Sequence, residues 1–83
     1  MSRVIVERNF PEPLQQADLE AVEERMKPCL DLYQVQWIRS YWSQDRRRMI
    51  CEYEAPDAQA VREVQREAEA HYDTAWVADV LEE

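Results

Sequence analysis

From Arg3 to Arg8 the chain alternates, with Val4 and Val6 on one face and Ile5 and Glu7 on the other. That period of two predicts a half-buried strand. Pro11 and Pro13 end it in an extended connection. From Gln15 the period lengthens. Leu19, Val22, Met26, Cys29 and Leu30 fall on one stripe, with Glu20, Glu23, Glu24 and Lys27 on the other side. This predicts an amphipathic helix. Pro28 lies inside it, where proline removes a hydrogen bond and crowds the preceding turn. A kink is expected there, or a break followed by a short extra turn to Leu32.

Val35 to Ser43 predicts a second strand, with Trp37, Arg39 and Tyr41 on one face and Ile38, Ser40 and Trp42 on the other. After the polar turn Ser43-Gln44-Asp45-Arg46-Arg47 comes a third strand, Arg48 to Ala55, which carries Met49, Cys51, Tyr53 and Ala55 on one side. Two strands of matched length joined by a short polar link form a hairpin. Asp57 is placed to cap a second helix, whose buried stripe is Ala60, Val61, Val64 and Ala68. A last strand is expected from Asp73 to Leu81.

The order β, α, β, β, α, β predicts an α+β ferredoxin-like fold: a four-stranded antiparallel sheet with two helices on one face. Residues 1–83 are read as a single such domain. Glycine is absent. Positions of positive φ are therefore expected at Asn9, Asp31, Asp45 or Asp73, or avoided altogether.

Composition narrows the partners. The net charge is -8, and an acidic surface repels nucleic-acid backbones and anionic membranes. No apolar stretch is long enough to span a bilayer, and the opening residues lack the features of a signal peptide. A cytoplasmic location is expected. Cys29 and Cys51 match no zinc or redox spacing and are expected to be reduced and buried.

Several pieces in order resemble one family. They are Val6-Glu7-Arg8-Asn9-Phe10-Pro11, Trp37-Ile38-Arg39-Ser40-Tyr41, Asp45, Cys51-Glu52-Tyr53-Glu54-Ala55-Pro56-Asp57, Ala60-Val61-Arg62 and Tyr72-Asp73-Thr74-Ala75-Trp76. Together they resemble a family of small bacterial ferredoxin-like domains of unknown function, one actinobacterial branch of which is described as nickel-binding. The resemblance covers nearly the whole chain. It implies a ferredoxin-like fold, often paired into a two-fold dimer, with nickel as a possible cofactor and no established reaction. Family members usually carry Gly-Leu-Pro after the second helix. Here Glu69-Ala70-His71 stands in that place, so a longer second helix is expected. Some members carry histidine where this chain has Arg39, and a guanidinium is not an ordinary metal ligand.

His71 is the only histidine. A metal site within one chain would need it together with Cys29 and Cys51, both on apolar stripes, whereas a site across a dimer or one using Glu7 and Asp79 would not. The candidate ligand-binding set is Glu7, Trp37, Arg39 and Tyr41, expected together on the sheet face that the helices leave open. There Glu7 and Arg39 pair, either across a dimer interface or in the wall of a pocket. No nucleophile triad, phosphate loop or dinucleotide fingerprint occurs. The sequence thus points to a small cytosolic domain that binds a small molecule or metal ion as a homodimer. A cofactor-free isomerase or oxygenase of the dimeric ferredoxin-like type, or a pure protein-interaction module, are the alternatives.

Overall fold

The computed structural model describes residues 1–83. Its elements are β1 (Ser2–Asn9), α1 (Gln16–Leu32), β2 (Gln36–Trp42), β3 (Arg48–Ala55), α2 (Ala58–Glu67) and β4 (Thr74–Ala78). The strands form one antiparallel sheet in the order β2-β3-β1-β4. This is the ferredoxin-like α+β fold. Alternation sets its faces. Val4, Val6 and Arg8 of β1 and Met49, Cys51, Tyr53 and Ala55 of β3 are buried, and all of these but Arg8 make the core with Met26 of α1, Val61 and Val64 of α2 and Ala68 at its C-cap. The opposite face carries Ile5, Glu7, Ile50 and Glu52 and is open. Only 14 of 83 residues are buried, so a thin core supports the domain.

α1 runs unbroken through Pro28. Neither a break nor a separate last turn forms, because Pro28 lies only four residues from the helix end and the missing bond leaves a single carbonyl, that of Glu24, unserved. Both helices close in Schellman motifs. After α1, the Val35 N–H donates to Leu30 O and Gln34 N–H to Asp31 O; after α2, Ala70 N–H donates to Gln65 O and Glu69 N–H to Arg66 O. The motif needs a left-handed residue, and Gln34 (φ 58°) and Glu69 (φ 55°) take it. Arg46 (φ 64°) takes the third such position, in the β2–β3 hairpin. None of Asn9, Asp31, Asp45 or Asp73 does so, which corrects the expectation. Nor does α2 run on: it ends at Glu67 despite the missing glycine. β4 is shorter than the alternation suggests. It stops at Ala78, opposite Arg3, one residue short of the start of β1 at Ser2.

Candidate functional site

β2 departs from simple alternation. Trp37 faces Tyr53 and Arg39 faces Glu52, so Ile38 is an extra residue in a β-bulge. The bulge reverses the phase. Trp37 joins Ser40 and Trp42 on the helix-covered side, with its indole Nε1 donating to Ser40 Oγ at 2.9 Å. Arg39 and Tyr41 remain on the open face. Trp37 therefore does not share a face with them, and the expected four-residue set is split.

Glu7 and Arg39 do not pair. In the sheet order β3 separates β1 from β2. Glu7 lies opposite Ile50, which lies opposite Tyr41, so Glu7 and Tyr41 are two strands and about 10 Å apart at the backbone. Glu7 instead accepts from Trp76 Nε1 at 2.9 Å and Thr74 Oγ1 at 3.0 Å, with Arg48 at 3.5 Å. The Trp76 and Thr74 donors, aided by Arg48, hold its carboxyl below the ordinary carboxylate range. Glu52, opposite Arg39, is taken by Arg3 at 2.9 Å.

The open face carries a shallow, more polar depression lined in part by Ile5, Glu7, Ile50, Trp76 and Asp79. The more enclosed, more apolar concave feature lies on the other side of the sheet. α1 leans over the β2 end and meets α2 through polar contacts. Arg25 Nε donates to Ala68 O at 2.8 Å, at the negative end of α2, and Tyr33 Oη donates to Glu67 Oε1 at 3.0 Å. Only Met26 of α1 is buried; Leu19, Val22, Cys29 and Leu30 are half-buried. Cys29 is thus less enclosed than expected, and both cysteines are free. Beneath α1 is a cavity of about 380 Å³, with 12 hydrophobic residues among its 17 lining residues. Its walls include Leu19, Val22, Leu30, Trp37, Trp42 and Met49.

Among the residues lining the cavity is Arg8, only 6% exposed. Its Nη1 donates to Gln65 Oε1 at 2.8 Å and to the His71 carbonyl at 2.9 Å, and its Nη2 donates to Tyr53 Oη at 3.1 Å. Burial pushes the Tyr53 phenol up to about 12, so it stays neutral, and its hydroxyl points to Met26 Sδ at 3.6 Å. Gln65 is fully buried and its Nε2 has no partner; neither has Trp42 Nε1. None of the chain's ion pairs includes Arg8. Sequence reading passed over Arg8 and Gln65. The signal was present in their phase: Arg8 follows Val4 and Val6 at a spacing of two, and Gln65 follows Val61 at a spacing of four.

A family profile described as nickel responsive protein, SCO4226-like, matches residues 5–77. The chain belongs to this SCO4226-like family. The crystal structure of SCO4226 from Streptomyces coelicolor A3(2) superposes with a TM-score of 0.84 at 14% identity, covering 98% of this chain and 100% of that one. At that identity the likeness speaks for the fold. No curated protein sequence matches the chain. Tested against the nickel that the family description implies, the residues of one chain do not fit. No three His, Cys, Asp or Glu side chains converge. His71 Nε2 lies 3.0 Å from Asn9 O and 3.5 Å from Asp73, and Cys51 is buried beside Ser40 Oγ.

Proposed function

We propose that this SCO4226-like protein is a small cytoplasmic ligand-binding domain that works as a homodimer and holds a small organic molecule in the cavity beneath α1. The observation that carries the reading is the cavity itself. A concave, mainly apolar space with a few inward polar groups is the usual form of a small-molecule site, and about 380 Å³ is at the small end of the usual range. Protein interiors are close-packed, so an apolar space of this size stands out from the rest of the domain. Trp37, the one member of the sequence-derived set that lines this space, forms part of its wall. Glu7, Arg39 and Tyr41 belong to the open face, which we assign to the second copy of the chain. Tyr41 and Trp76 there are 55% and 46% exposed, and aromatic residues with arginine suit an interface.

The test uses N-phenyl-1-naphthylamine, a neutral probe that fluoresces in apolar surroundings. Its emission rises and saturates at one probe per chain with the wild-type protein, and the rise is lost in Val22→Trp, whose larger side chain fills the space. Absence of any saturable rise with the wild type overturns the reading.

A further inference from the structure

We propose that the molecule held beneath α1 is a small organic carboxylate, bound with its carboxylate on Arg8 and its aromatic or aliphatic body among the apolar walls. This rests on the cavity being the ligand site. Arg8 is a buried cation with no acidic partner anywhere in the chain. Burying a charge is costly, and neutral acceptors offset only part of that cost. Gln65 Oε1, the His71 carbonyl and Tyr53 Oη take three of the five guanidinium hydrogens. The remaining two lie on Nε and Nη2, and an arginine can offer a neighbouring pair of donors to both oxygens of one carboxylate. The three bonds already made fix the guanidinium in place, so little side-chain entropy remains to be lost when an anion arrives.

The surroundings select the rest of the ligand. Trp37, Trp42, Met26 and Met49 form walls suited to a flat or flexible apolar body. Tyr53 stays neutral beside Arg8 and so does not compete for its charge. Glu23 and Lys27 are the other charged lining residues. Both are exposed, and their opposite signs leave Arg8 as the only buried charge in the cavity. A polyanion does not suit the site, because Arg8 is the only buried cation there to meet it.

The experiment is calorimetric titration of wild-type protein with three ligands of one shape: indole-3-acetate, indole-3-ethanol and tryptamine. The carboxylate binds about tenfold or more tightly than the alcohol, as expected for a charged hydrogen-bonded contact, and the amine binds weakest. Arg8→Gln removes the preference for the carboxylate and keeps the affinity for the alcohol. If Arg8→Gln does not fold, the wild-type ranking decides alone. Carboxylate and alcohol binding within about twofold of each other overturns the role of Arg8 and leaves the cavity reading intact. Failure of all three ligands while N-phenyl-1-naphthylamine binds overturns the carboxylate proposal alone. Failure of all four overturns both.

Discussion

Glu69 holds a backbone conformation that a side chain with a Cβ resists. Its φ of 55° is the left-handed turn of the α2 Schellman motif, a position that glycine fills without strain. Left-handed backbone costs roughly 1–2 kcal/mol for such a residue, part of which glycine returns as unfolded-state entropy. Glu69→Gly is therefore expected to stabilise the protein by about 1 kcal/mol, a rise in melting temperature of about 4–8 °C. A calorimetric scan checks it, and a lowered melting temperature would contradict it. The position itself was visible in sequence as the place of a missing Gly-Leu-Pro. Its consequence was not, because residue identity alone suggested a longer helix, whereas the buried contacts of Ala68 and Ala70 fix the turn. Arg8 shows the opposite case. Its phase put it on the core face from the start, but arginine at a strand end ordinarily reaches solvent. Gln65, Tyr53 and the His71 carbonyl, all distant in sequence, make its burial tolerable.

α1 is the most weakly anchored element, and two features of it are testable. Pro28 leaves a helix bond unmade, so Pro28→Ala is expected to gain about 1–3 kcal/mol, the usual cost of proline in a helix interior. Urea unfolding reads this as a higher midpoint at unchanged slope; an unchanged midpoint would contradict it. At the other side of the sheet, carboxylates fasten β4 to β1. Glu7 accepts from Trp76 and Thr74, and Asp73 accepts from the Asn9 backbone N–H at 2.6 Å. Those donors lower both carboxyls from their usual 4.5 and 3.8. A lowered folded value means the stabilisation is complete above the usual values and is lost as pH falls through the folded ones. The urea midpoint should therefore drop on going from neutral pH to about pH 3, and Glu7→Gln should flatten that drop. A midpoint that holds steady into acid would contradict it. Element types and order were legible because the periods of Arg3–Arg8, the α1 stripe and the hairpin are local properties. The phase of β2 was not, because a bulge at Ile38 depends on how β3 pairs with it. That one residue moved Trp37 to the other side of the sheet and divided the expected site.

At the scale of the molecule, a sheet covered by helices on one face leaves Tyr41, Ile50, Ile5 and Trp76 on the other. The proposed dimer covers them. Light scattering should give twice the chain mass for wild type, and Tyr41→Glu should shift the balance towards monomer, whereas a wild-type monomer at about 10–100 µM, well above ordinary dimer affinities, would contradict the pairing. Family membership and fold leave the ligand open, since this architecture carries many unrelated functions. The ligand is proposed to sit beneath α1, and not on the open face that carries Glu7, Arg39 and Tyr41. The three tryptophans divide along that line. Trp37 and Trp42 line the cavity, and Trp76 is tied to Glu7 on the open face. A ¹H–¹⁵N spectrum of the indole N–H groups during titration with indole-3-acetate should move the Trp37 and Trp42 signals and leave Trp76 in place. Movement of Trp76 with Trp37 and Trp42 unchanged would place the ligand on the open face and overturn the site beneath α1.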